Sequence, residues 1–151
     1  MAKFPKDIIE NQEARNKMLL GINKLANPVA STLGPRSRYV AINNPHDTPE
    51  VYRDGVTVAR RINLKDDFED MGAELLKAAA VKTNEVAGDG TTTATILAQA
   101  IISEAFKVIA AGTNPMLLKQ EIEGALKVVL EELKKLKKDV TTPEEIEQVA
   151  T

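Results

Sequence analysis

The stretch with the clearest chemical potential is Ala87-Gly88-Asp89-Gly90-Thr91-Thr92-Thr93-Ala94-Thr95, which lies between two strong helical patterns. Threonine is a mediocre helix former, so three in succession at the opening of a helix need a local reason. Glycines permit close backbone approach, and the free N–H groups and dipole of a helix start attract an anion that threonine hydroxyls can also bind. A carboxylate in that place repels bare phosphate, but it becomes favourable when it holds a cation such as Mg²⁺ that bridges to the phosphate oxygens. The chemistry indicated is binding of a Mg²⁺–nucleoside triphosphate. The simpler alternative has Asp89 as an ordinary N-cap and the threonines satisfying first-turn N–H groups; the local pattern leaves both open. Neither G-x-x-x-x-G-K-[ST] nor a complete G-x-G-x-x-G occurs, so no Walker loop or dinucleotide fingerprint is present.

Two shorter elements could serve the same site. Thr32-Leu33-Gly34-Pro35 is a tight loop after a helical pattern, able to present backbone groups and a hydroxyl, although alone it is only a turn. Arg53-Asp54-Gly55 brings together a cation, a carboxylate and a permissive backbone position. Asp54 could orient a water or a metal shell, as phosphoryl hydrolysis requires, but D-G is also a common turn dipeptide. Other chemistries are excluded by composition. There is no cysteine, hence no disulfide, thiol catalysis or cysteine-based zinc site, and the one histidine, His46, rules out a two-histidine metal motif.

The elements that must position these residues are mostly helical. Aromatic residues make up only 3% of the chain, so a core has to come from Leu, Ile, Val, Ala and Met, which favours closely packed helices. Ala14, Met18, Leu19, Ile22, Leu25 and Ala26 form an apolar stripe from Asn11 to Ala26, and Pro28 is expected to end or kink that helix. Tyr39-Val40-Ala41-Ile42 and Val51-Tyr52, joined by the Pro-rich segment Asn43 to Pro49, read as two short strands. Val56 to Ile62 fits a strand or a short helix equally well.

Three long helices follow: about Lys65 to Val86, Gly90 to Ala111 with Gly112 as its stop, and Asn114 to Lys138 with Asn114 as N-cap and Pro115 at the first position. Asp66, Asp67, Glu69 and Asp70 crowd the start of the first, where the helix dipole favours acids. Phe68, Met71, Leu75 and Leu76 of the first helix, Leu97, Ile101 and Val108 of the second, and Leu118, Ile122, Leu126, Val129, Leu133 and Leu136 of the third are expected to face a shared core. Thr142-Pro143-Glu144-Glu145 has the form of a capping box and announces a last helix.

With 151 residues, 20 basic against 22 acidic, the chain suits one moderate domain and not a dedicated nucleic-acid or polybasic membrane binder. The N-terminus has neither a signal-peptide h-region nor transit-peptide composition, so a cytoplasmic location is the expectation. The longest charge-free stretch, Gly90 to Ser103, is too short to span a bilayer, so no membrane partner is expected.

Taken together, T-L-G-P at Thr32 to Pro35, D-G-V-T-V-A-R at Asp54 to Arg60, M-G-A at Met71 to Ala73, G-D-G-T-T-T-A-T at Gly88 to Thr95 and A-G-x-N-P-M at Ala111 to Met116 resemble the group I, bacterial GroEL-type chaperonins. The resemblance covers nearly the whole chain in the same order. It implies a mainly α fold: the incomplete helical bundle of an equatorial ATP-binding domain over residues 1–137, with a small β-hairpin near residues 38–53, then the start of an intermediate domain at 138–151.

By that resemblance Thr32, Leu33, Gly34, Pro35 and Arg53 border the nucleotide, Gly90, Thr91, Thr92 and Thr93 bind phosphates, Asp89 holds Mg²⁺ and Asp54 lies near the attacking water. ATP and Mg²⁺ are the implied cofactors, with K⁺ as a further candidate cation. The implied partners of the parent protein are identical subunits in stacked rings, a lid co-chaperonin and unfolded client proteins. Three departures stand out. Arg36-Ser37 follow T-L-G-P where the family usually has Lys-Gly, Arg53 replaces a usual Lys, and Pro28 lies where the family continues a helix. The rival reading, from a different class, is a free-standing helical interaction module or decoy subunit without ATPase activity.

Overall fold

The computed structural model describes residues 7–43 and 48–150. His46 and the middle of the Pro-rich loop lie outside the described residues, as does the N-terminal segment 1–6. The described residues form six helices and one two-stranded antiparallel sheet, so the fold is mainly α with a small hairpin, as expected. The chain divides into two compact units, Met1–Ala111 and Gly112–Thr151.

In the first unit, α1 (Asn11–Ser31) buries Ile22, Leu25, Ala26 and Val29, the continuation of the apolar stripe read from the sequence. Pro28 neither ends nor delays this helix, which runs on to Ser31. A proline inside a helix removes one backbone donor, but here the loss is offset by complete burial of Val29 in the core. Hydroxyls then close the last turn: Ser31 Oγ donates to the Pro28 carbonyl and Thr32 Oγ1 to that of Val29, both at 2.7 Å.

Two strands, β1 (Val40–Ile42) and β2 (Glu50–Tyr52), pair antiparallel with Ala41 opposite Val51. The ambiguous segment after them is helical: α2 (Gly55–Arg61) buries Val58 and Ala59, a spacing the short sequence window could not separate from strand alternation. Then α3 (Asp67–Ala87) crosses α1 at very close range. A Cβ on Gly72 would overlap the backbone carbonyl of Met18, and one on Gly21 would overlap that of Glu69, which explains why M-G-A places its glycine there.

The acids at the start of α3 do more than answer the helix dipole. Asp66 and Glu69 form ion pairs with Lys17 and Lys24 of α1, while Asp70 accepts a 2.7 Å hydrogen bond from the Leu64 N–H. The core consists of Ile22, Leu25, Ala26, Val29, Val58, Ala59, Ala73 and Leu76, with Val40, Tyr52, Ile62, Leu64, Ala98 and Ile102 packed against it.

The helix α4 (Thr91–Ala110) meets that core through Thr95, Ala98 and Ile102, and Gln99 Nε2 donates to Asn23 Oδ1 of α1 at 2.8 Å. Its length and composition would in fact suffice to cross a membrane, contrary to the estimate from the charge-free stretch, because the helix extends beyond Ser103 through Glu104 and Lys107. Buried Thr95 and the Gln99–Asn23 hydrogen bond tie one face of it to the core of α1 to α3. Several side chains expected inside are not: Met71, Leu75, Leu97 and Ile101 are each more than half exposed.

The second unit holds α5 (Pro115–Leu136) and α6 (Pro143–Ala150). Asn114 caps α5 by accepting the Met116 N–H at 2.9 Å. The capping box of α6 closes reciprocally: Thr142 Oγ1 accepts the Glu145 N–H at 3.2 Å, and Glu145 Oε2 accepts the Thr142 N–H at 3.3 Å. However, α5 buries none of its residues, so the expected core role of Leu126, Val129 and Leu133 is not met. Periodicity locates an apolar face on a helix, but it cannot say whether anything lies against that face.

Candidate functional site

The start of α4 is built by two glycines around one carboxylate. Gly88 ends α3 with φ 73° and Gly90 precedes α4 with φ 79°, both in the left-handed region that side chains rarely adopt. A Cβ at either position would meet nothing within 4 Å, so backbone conformation and not crowding requires glycine, and the space above both is open. Asp89 between them is exposed, and its Oδ1 accepts the Gly90 N–H at 2.6 Å.

Asp89 is therefore not the N-cap that the simpler alternative needs. The cap position belongs to Gly90, which makes no side-chain bond. The first helical N–H groups, those of Thr91, Thr92 and Thr93, have no intrahelical acceptor, and among the described residues no side chain takes them. One turn further on, Thr95 Oγ1 donates to the Thr91 carbonyl at 2.8 Å.

Two other segments approach this helix start. A Cβ added to Gly55 would collide with the Thr92 hydroxyl and lie 3.0 Å from Thr32 Oγ1, so Thr32, Gly55 and Thr92 meet at one point. Beyond Thr32 the loop is a hydrogen-bonded turn, with the Ser37 N–H donating to the Gly34 carbonyl at 3.1 Å and Pro35 in the position where its fixed φ is suited. Leu33, Gly34 and Pro35 are exposed. Ser37 is accommodated without left-handed strain, since Asn11 is the one non-glycine residue with positive φ among the described residues. Arg53 is directed to this turn, its Nε donating to Ser37 Oγ at 2.6 Å.

Asp54 has a local structural task. It caps α2, with Oδ2 accepting the Thr57 N–H at 3.0 Å and the Thr57 hydroxyl at 2.7 Å. Partial burial pushes its pKa up. The hydrogen bonds from the Thr57 side chain, the Thr57 and Val56 N–H groups and the nearby Arg60 charge outweigh that and hold it below the usual carboxylate range. The carboxylate is thus ionised at neutral pH and remains exposed.

The arrangement joins Thr32, Gly55 and Thr92 directly. Asp89 stands at the mouth of the same helix, and Asp54 adjoins Gly55 in sequence. Gly55 was the residue that motif reading undervalued, since D-G was weighed as a turn while its real use is to admit two threonine hydroxyls. One cavity of about 850 Å³ lies elsewhere, lined by Lys24, Pro28, the β1 strand, Glu50, Arg60 and Arg61, and it includes none of the candidate residues. Among the described residues no group of three or more His, Cys, Asp or Glu could hold a metal by itself. A single exposed carboxylate beside open N–H groups fits a hard cation such as Mg²⁺, which is commonly bound by one or two carboxylates with phosphate oxygens and water completing its shell.

Comparison with known proteins agrees with these motifs. The chain is 53% identical over 139 residues to heat shock protein 60 of Emericella nidulans, an alignment that covers 92% of this chain and 24% of that protein. It thus spans about a quarter of the length of this relative. The TCP-1/cpn60 chaperonin family matches residues 25–151, a span that contains the Thr32 loop, the Asp54–Gly55 step and the start of α4. With that family matched over most of its length, the chain belongs to the TCP-1/cpn60 chaperonin family.

Proposed function

We propose that the chain is the Mg²⁺–ATP-binding segment of a group I chaperonin subunit. In this reading the parent protein uses ATP binding and hydrolysis, in stacked rings of identical subunits closed by a lid co-chaperonin, to enclose and refold non-native proteins. The observation that carries it is the meeting of Thr32 and Thr92 at Gly55, beside a helix start with no side-chain cap. The D-G-V-T-V-A and N-P-M segments support the group I branch, of bacterial or organellar type.

The N–H groups of Thr91, Thr92 and Thr93 bind phosphate oxygens and the Thr92 hydroxyl adds a further donor, while Thr32, whose hydroxyl donates to the Val29 carbonyl, lines the site beside it. Asp89 holds the metal, which when bound neutralises charge developing on the phosphates. Asp54, kept ionised by its own hydrogen bonds, orients the attacking water.

A ligand that binds only the native state raises its melting temperature, by the equivalent of about 2.7 kcal/mol at a hundredfold excess over Kd. Mg²⁺–ATP is expected to raise the melting temperature more than ATP with a chelator does. An unchanged melting curve under both conditions would sink the proposal. One observation favours the rival interaction module: Leu126, Val129 and Leu133 of α5 are each more than half exposed. That reading expects no nucleotide shift and concentration-dependent association in sedimentation.

A further inference from the structure

We infer that Ser37 and Arg53 form a clasp that holds the Thr32–Pro35 loop against the Asp54–Gly55 step, which makes both of them positioning residues for the nucleotide; the inference rests on the reading above. Arg53 Nε donates to Ser37 Oγ at 2.6 Å, and the guanidinium carbon lies 5.9 Å from the centre of the Tyr39 ring, within reach of a cation–π contact. The guanidinium is therefore directed from two sides. Ser37 in turn closes the loop through its N–H bond to the Gly34 carbonyl, and the next N–H, of Arg38, donates to Ser31 at the end of α1 at 2.9 Å. Displacing Ser37 must move the turn that follows Thr32 and Leu33.

On the other side, Arg53 immediately precedes the carboxylate that starts α2 and the glycine at which Thr32 and Thr92 meet. The loop and the end of β2 are thus joined at two separated points, the Thr32–Gly55 contact and the Ser37–Arg53 bond. Two points restrain a rotation that one would allow. The chemistry requires both residue types together. An Nε–H close to the backbone is particular to arginine, whereas lysine carries its donors only at the chain tip, and glycine at position 37 would offer no acceptor. The two departures from the usual pattern at these positions consequently make one interaction, which neither would make alone.

The test uses the full-length protein with Ser37→Ala, Ser37→Thr, Arg53→Lys and the double variant S37A/R53K. Titration calorimetry with Mg²⁺–ATP should show a Kd weaker by about fivefold for Ser37→Ala and for Arg53→Lys, the size of one hydrogen bond of ordinary net strength. The double variant should be no weaker than either single one. Ser37→Thr, which keeps the hydroxyl, should restore binding, and the melting temperatures should stay together. In the nucleotide-free protein, hydrogen–deuterium exchange in a peptide covering residues 33–38 should quicken in Ser37→Ala and Arg53→Lys while α3 is unchanged. Single variants with wild-type Kd, losses that multiply in the double variant, or unaltered loop exchange would each overturn the clasp. Should the wild type bind no Mg²⁺–ATP, the nucleotide reading fails and the positioning role with it. The exchange arm then decides separately whether the loop is clasped.

Discussion

The starts of α3 and α4 face the same electrostatic problem and resolve it in opposite ways. At α3, Asp66 accepts the N–H groups of Phe68 at 3.0 Å and Glu69 at 3.1 Å, and Lys17 pairs with its charge. Asp67, Glu69 and Asp70 add negative charge to the first turn. That end of the helix is complete within the chain. At α4 the cap is glycine, the first turn contains no acid, and three threonines stand where capping groups would be expected to act. Asp54, Asn114 and Thr142 likewise cap α2, α5 and α6, whereas α1, like α4, begins with no side-chain cap hydrogen bond. Of the two uncapped starts, that of α4 is the one beside which the Thr32 and Thr92 hydroxyls meet, and this is the feature that the proposed anion site rests on.

The largest test of that contrast is Asp89→Ala in the full-length protein, which should lower Mg²⁺-dependent ATP turnover by roughly a thousandfold, as loss of a principal electrostatic group does. Its melting temperature should hardly move, since among the described residues the exposed Asp89 bonds only the adjacent Gly90 N–H. Turnover at the wild-type rate would remove the metal assignment. Next in size is Asp54→Ser. Serine keeps a capping oxygen for α2, so stability is largely kept while hydrolysis slows by about a hundredfold, the loss typical of a proton-handling carboxylate. Equal losses in binding and in turnover would mean that Asp54 serves only as a cap.

Asp66→Ala should do the reverse of Asp89→Ala. It removes a true cap and is expected to cost about 1 kcal/mol in urea unfolding while ATP affinity is unchanged. A fall in ATP affinity with no loss of stability would erase the distinction between the two helix starts.

The smallest effect is in the pH profile. The hydrogen bond from Lys17, then the Glu69 N–H, hold Asp66 below its ordinary pKa of 3.8 against the opposing effect of desolvation. A depressed folded-state pKa means that this contribution is present above the ordinary value and disappears as pH falls through the lower folded one. Lys17, raised above 10.5 chiefly by the same hydrogen bond, contributes below that value and loses its share as pH rises through the raised one. Melting curves between about pH 5 and pH 2 should therefore flatten in Asp66→Asn, which retains a capping oxygen without the charge. Superimposable acid limbs would show that the Lys17 pair adds nothing.

Much of this architecture was legible because it is local. Asn114-Pro115 and Thr142 to Glu145 act within a few residues of themselves, and both caps form as their spacing requires. The hairpin and the α3 and α4 boundaries likewise follow from nearby residues. Reading became unsafe where a distant neighbour decides the outcome. Pro28 interrupts a helix by its own chemistry, yet Val29 is drawn into a core that also contains Val58 and Leu76, and the helix continues. The acids of α3 looked like an answer to a dipole until α1 supplied Lys17 and Lys24 opposite two of them.

The candidate site divides along the same line. The order Gly88-Asp89-Gly90-Thr91-Thr92-Thr93 by itself determines a helix start entered through two glycines with a carboxylate between them, because this depends on the few residues beside it, while the structure decided that Asp89 leaves the cap position to Gly90. Only the tertiary structure decided that Thr32 and Thr92 meet over Gly55, that Ser37 accepts from Arg53, and which apolar faces are covered. Those contacts join residues far apart in the chain, and it is the packing of α1, α2 and α4, not any local preference, that brings them together.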